Sequence, residues 1–132
     1  MSNIWTPRVL SILRIVAAFL FIAHGTQKLF GVPGDREGMD VARWFIGLRG
    51  WAGMLEVFGG ALLLAGAWTR PVAFILAGEM AVAYFRSHAP RDFWPGLNGG
   101  ELAALYAFLF LYFVFAGGGE WSVDRLLQKK KS

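Results

Sequence analysis

His24 and Lys28 stand four residues apart in His24-Gly25-Thr26-Gln27-Lys28-Leu29-Phe30-Gly31, at the end of the first long apolar run. On a helix that spacing puts both side chains on one face, about 6 Å apart along the axis. Carried backwards, the same face reads Phe21, Ala17/Ala18 and Arg14. Three ionisable residues in one apolar helix have to point at protein, water or a ligand rather than at hydrocarbon. An imidazole exchanges hydrogen bonds or protons near neutral pH. An ammonium holds an anionic or carbonyl oxygen, and Glu56 in the second apolar run could orient either group. His24, Lys28 and Glu56 are therefore the candidate catalytic residues. Glu79, Arg86 and His88 join them as candidate ligand-binding residues.

A quinone head group suits such a polar pocket, with Trp51, Phe58 or Tyr84 as aromatic flanks. A metal reading would use His24, His88, Glu56 and Glu79. No Glu/His pair at i, i+3 supports a carboxylate di-metal site, and two histidines as haem ligands are the remaining metal alternative. The plain structural reading makes Lys28 with Glu56, and Arg86 with Glu79, neutralising pairs that lock helices together. One insertion scale assigns about 2.5–3.5 kcal/mol to a charge at mid-membrane, so pairing is the expected remedy. Arg14 and Arg70 are expected to snorkel to headgroups. The chain has no cysteine, which excludes thiol–disulfide chemistry and iron–sulfur ligation by its own residues.

Apolar helices must position these groups. The 132 residues are 56% hydrophobic, with a mean hydropathy of +0.48. The apolar residues fall in four blocks, each long enough, or nearly so, to span a bilayer. The expected fold class is an all-α integral membrane protein: one domain over 1–132, a four-transmembrane-helix bundle with spans at about 10–30, 51–68, 71–85 and 101–116. The first block has the length of a signal peptide core, but no small-x-small cleavage site follows and three further blocks do, so it is expected to be retained. Between the first two spans, Val41, Phe45 and Leu48 recur at helical spacing. They suggest a short amphipathic segment over 39–48, anchored by Trp44, with an irregular loop as the alternative.

Small residues pattern the second span. Ala52, Gly59 and Gly66, with Gly53, Gly60 and Ala67 beside them, form a groove where another backbone can approach closely, and Glu56 lies on that side. Thr69-Arg70-Pro71 is a very short connection, with Pro71 suited to a first helical turn. Arg86 follows Glu79 by one heptad. The fourth span is crowded with aromatics, Gly117-Gly118-Gly119 ends it, and Ser122 could cap a tail helix over 123–128.

Four spans put both termini on one side. Arg8, Arg70, Arg125 and Lys129–Lys131 gather there, against Arg36, Arg43, Arg49, Arg86 and Arg91 on the other, which favours cytoplasmic termini in the cell's inner membrane. His24, Lys28, Glu56, Glu79, Arg86, His88 and Glu101 then share one half of the bilayer. The net charge of +4 and pI near 9.9 owe much to Lys129–Lys131. Anionic lipid headgroups, not nucleic acid, are the expected partner of the basic tail over 120–132.

His24-Gly25-x-x-Lys28-Leu29-Phe30-Gly31, Glu56-x-x-Gly59-Gly60, Gly66-x-x-Thr69-Arg70, His88, and Gly117 through Ser122-Val123-Asp124 together resemble the DoxX family of small membrane proteins. The likeness covers nearly the whole chain in order and spacing. It implies a four-helix membrane fold and a small subunit of a quinone-linked oxidoreductase, as in quinol oxidase or thiosulfate:quinone oxidoreductase assemblies. His24, Lys28, Glu56 and Arg70 carry over as family-pattern positions; Glu79 is outside the pattern. No intrinsic cofactor is evident, so a bound quinone and redox partner subunits are what the resemblance implies. A structural or assembly subunit is the main alternative. A small-molecule or proton carrier is a third, weakened by the lack of an internal repeat or broken helix. The small-residue groove would serve an intrachain helix or a homo-oligomer.

Overall fold

The computed structural model describes residues 3–34 and 37–131; Arg36 of the expected charge balance lies outside them. All regular structure among the described residues is helical: α1 (Trp5–Phe30), α2 (Leu48–Ala65), α3 (Thr69–Ala83), α4 (Pro95–Asn98), α5 (Glu101–Ala116) and α6 (Val123–Lys131). A 3-10 turn, Val41–Phe45, precedes α2, and a π turn, Tyr84–His88, follows α3. By length and composition α1 and α2 can each cross a membrane, and α5 is a shorter apolar helix.

The chain forms two units, Met1–Thr69 with Gly118–Ser132, and Arg70–Gly117. In the first, α1 and α2 run antiparallel. The contacts pair early with late along the two helices: Gly53 with Leu29, Glu56 with Gly25, and Gly60 with Ile22. Small residues make this possible. A Cβ on Gly25 would come within 2.8 Å of Val57 Cγ2 and 2.9 Å of both Glu56 Cβ and Gly53 O, so α2 passes where a larger side chain would stand. The expected groove is thus filled by α1 of the same chain along Gly53, Glu56 and Gly60.

Helix α1 starts five residues before the expected span, at Trp5. Helix α2 starts and stops three residues early. Its stop is local chemistry. Gly66 adopts φ 70°, and the Ala67 and Gly66 amides donate to Leu62 O and Leu63 O, the paired bonds of a Schellman end. The 39–48 segment is a single 3-10 turn, with Leu48 already in α2. Its tryptophan packs edge-on against Phe30 at 5.3 Å and donates Nε1–H to Met39 O at 3.2 Å.

In the second unit, α3 buries Val72, Ala73, Leu76 and Met80. The aromatics of α5 divide between two faces. Tyr106, Phe110 and Phe113 are buried, with Tyr106 stacked on Phe110 at 5.4 Å, whereas Phe108, Tyr112 and Phe115 are exposed. The α-helical register of α3 ends at Ala83. Arg86 lies in the π turn beyond it, outside the α-helical repeat from which its seven-residue spacing to Glu79 is projected.

Candidate functional site

Lys28 and Glu56 meet across the α1–α2 crossing. Lys28 Nζ donates to Glu56 Oε1 at 2.5 Å, with the Glu56 side chain 1% and the Lys28 side chain 31% exposed. Glycine at positions 25 and 53 brings the two backbones close enough for the carboxylate to sit inside the crossing. Of the pair, the lysine is the partly exposed member. Glu56 Oε2 is buried and has no hydrogen-bond partner among the described residues. One carboxylate oxygen is thus neutralised while the other keeps acceptor capacity in a dry place, where a missing bond is costly. His24 lies one turn before Lys28 on α1 and is half-buried. The Lys28–Glu56 pair expected from the sequence is made, because one ridge of α1 and the small-residue side of α2 define the crossing.

The aromatic flanks are arranged differently. Trp51 and Phe58 are exposed. Trp51 donates its Nε1–H to Phe45 O at 3.1 Å and packs edge-on against Phe45, which ties it to the turn before α2.

In the second unit, Glu79 is half-buried on α3 and Arg86 is exposed. His88 belongs to a loop lock around Asn98. Asn98 is 2% exposed and donates through Nδ2 to Tyr84 Oη and Asp92 O, while its Oδ1 accepts from the Gly100 amide at 2.7 Å. His88 Nδ1 lies 3.3 Å from Asn98 O, and a Cβ on Gly100 would fall 2.6 Å from His88 Cβ. Tyr84 and His88 thus fasten the loop between α3 and α5. Glu101 opens α5, exposed, where a carboxylate favours the helix N-terminus. Arg70 is exposed and lies over the backbone of Gly117. Among the described residues no three His, Asp or Glu side chains gather as a metal site requires.

Arg14 corrects the sequence reading. It does not snorkel: it is 1% exposed. Its guanidinium donates to Gly118 O, to Trp121 O at 2.9 Å and to Leu64 O at 3.3 Å. Around it Ser11 Oγ donates to Gly118 O and accepts from the Trp121 amide at 2.9 Å. Asp124 completes this clasp from the tail, accepting the Trp68 and Thr69 amides at 2.7 and 2.9 Å where α3 begins. Ser122 caps α6 as expected, its Oγ accepting from the Arg125 amide at 3.2 Å. Gly66 serves twice: its φ is positive, and a Cβ there would fall 2.8 Å from Arg14 Nη1. The signal in the sequence was the coincidence of Ser11 and Arg14, one turn apart, with the Gly117–Asp124 segment. Only the fold shows that three backbone carbonyls converge on this basic group.

Among the described residues all regular structure is helical, the first two helices are long and apolar enough to cross a bilayer, and an ion pair with its carboxylate buried joins them. The DoxX family model matches residues 9–89, and the chain belongs to that family. It is 44% identical over 137 residues to an uncharacterized protein of Haemophilus influenzae, covering 98% of this chain and all of that one. It is 33% identical to inner membrane protein YqjF of Escherichia coli, over 89% of this chain and 90% of that one. It is 29% identical to the uncharacterized membrane protein Rv3486 of Mycobacterium tuberculosis, over 94% of this chain and 83% of that one. No solved structure matches the chain.

Proposed function

We propose that this protein is a four-span component of a quinone-linked oxidoreductase system in the inner cell membrane, with both termini cytoplasmic. The shared side of the termini is supported by the Glu120 amide donating to Pro7 O at 3.1 Å and by the Arg8–Glu120 ion pair at 3.1 Å. The site reading rests on one observation: the buried, unpartnered Oε2 of Glu56 beside a partly exposed Lys28. These residues fit a quinone head group, whose carbonyl needs a donor and whose reduced hydroxyl needs an acceptor. Lys28 Nζ holds the carbonyl oxygen, Glu56 Oε2 accepts the hydroxyl, and His24 holds or passes a proton one turn away. When bound, the quinone supplies reversible electron and proton uptake, and partner subunits supply the electrons.

Native mass spectrometry of the protein released from its own membrane, with lipid extraction of the same sample, tests this. A stoichiometric quinone retained by the wild type and lost in His24→Ala, with the protein still folded, supports the reading. Phospholipid alone, or a co-purifying oxidase subunit without quinone, overturns it. That result favours the second reading, a structural subunit in which Lys28 and Glu56 only join α1 to α2. The second reading draws on the placement of the ion pair at the tightest point of the helix crossing.

A further inference from the structure

Helix α6 presents a face that the clasp does not use. At 100° per residue, Leu126, Lys130, Val123 and Leu127 fall within one arc of about 100°, with Lys129 and Lys131 on its two flanks. Val123, Leu126 and Leu127 are all exposed. Asp124 accepts the Trp68 and Thr69 amides, and Glu120 pairs with Arg8. The outer surface of the tail is therefore an apolar stripe edged by positive charge. Trp68, in the turn before α3, and Trp121, just before α6, are both exposed and both bond to the clasp. Tryptophan is the residue of the headgroup layer, so the clasp sets α6 at that level.

We propose that α6 is an interfacial anchor for anionic phospholipid. It lies along one leaflet with Leu126 and Leu127 in the acyl boundary and Lys129–Lys131 among the phosphates, and Asp124 fixes its depth. Charge complementarity selects this occupant. An apolar stripe alone would suit any hydrophobic partner, but lysines on both flanks and within the stripe suit a surface of phosphates over hydrocarbon. The anchor is independent of the Lys28–Glu56 site.

The test is amide hydrogen exchange over 123–131 on the full chain. One set of nanodiscs is phosphatidylcholine alone; the other contains about one-third phosphatidylglycerol. A nine-residue helix frays in water, so docking is read directly as slowed exchange. The expected result is exchange at least about tenfold slower in the anionic discs, with the difference collapsing at high salt. Lys129→Gln with Lys130→Gln and Lys131→Gln should erase it, leaving α1 and α2 exchange unchanged. Equal exchange in both discs overturns the proposal, as does protection that survives in the triple variant. Protection that inorganic phosphate reproduces in phosphatidylcholine discs assigns a free anion instead. Protection that rises with protein copies per disc assigns a second chain, and either result overturns the lipid assignment.

Discussion

Replacing Arg14 by methionine should strongly destabilise the first unit, because a guanidinium enclosed by backbone carbonyls has no substitute there. Arg14 donates to Gly118 O, to Trp121 O at 2.9 Å and, less favourably, to Leu64 O at 3.3 Å. A hydrogen bond from a charged donor contributes about 1.5–3 kcal/mol, so the two better bonds carry about 3–6 kcal/mol. Methionine needs no comparable desolvation and removes the buried Nε, which has no partner; that offsets about 1–2 kcal/mol. The expected net loss is about 2–4 kcal/mol, a fall of roughly 10 °C in Tm for a chain of this size. Arg14→Lys should lose about half as much, since one ammonium cannot span three carbonyls. Arg8→Met is the control. Its pair with Glu120 is about one-third exposed on each side, so it should cost less than about 1 kcal/mol. Thermal unfolding in detergent, followed by tryptophan fluorescence, measures all three. If Arg14 reached headgroups instead, Arg14→Met would behave like Arg8→Met, and equal small shifts would refute the clasp.

Two further substitutions probe the helix crossing by the same assay. Gly25→Ala should cost about 1–3 kcal/mol, because its Cβ meets Gly53 O, a backbone atom that cannot rotate away; an unchanged Tm would mean that α1 and α2 are not held at this distance. Lys28→Met should cost about 3 kcal/mol by leaving Glu56 buried and uncompensated, and adding Glu56→Leu should restore most of it. A double variant no more stable than Lys28→Met would show that the carboxylate is not the source of the loss.

Helix identity was legible because long apolar blocks have few alternatives, although among the described helices only α1 and α2 are long and apolar enough to cross a bilayer. The side of α2 that carries Glu56 was legible from glycine spacing alone. Helix ends were harder. Gly66 stops α2 through a left-handed turn, while the hydropathy continues to Trp68 and gives no sign of it. Arg86 falls inside the π turn at Tyr84–His88, an irregularity that a heptad projected from Glu79 does not anticipate. Arg14 was misread for a physical reason. From sequence, a basic residue near a helix end in an apolar run snorkels by default. Burial instead requires several acceptors to converge on it, and Leu64, Gly118 and Trp121 come from segments about 50 and 100 residues away.

The residues that carried the family resemblance divide by what surrounds them. Gly66, Thr69, Ser122 and Asp124 gather around Arg14. Two polar atoms there, Arg14 Nε and Thr69 Oγ1, are buried without partners among the described residues. They are closed in by protein: Cβ atoms on Gly66 and Gly118 would come within about 3 Å of Arg14, and one on Gly118 within 2.8 Å of Thr69 Oγ1. No ligand atom fits there, so those orphans are a cost of tight packing. Glu56 Oε2 differs because the side chain next to it, Lys28, is partly exposed. On the proposed reading, a group entering from outside meets the lysine first and the carboxylate behind it. Unmet bonding capacity is a cost of packing where protein fills the space around it, and a candidate binding feature where the charge paired beside it is itself partly exposed, as Lys28 is.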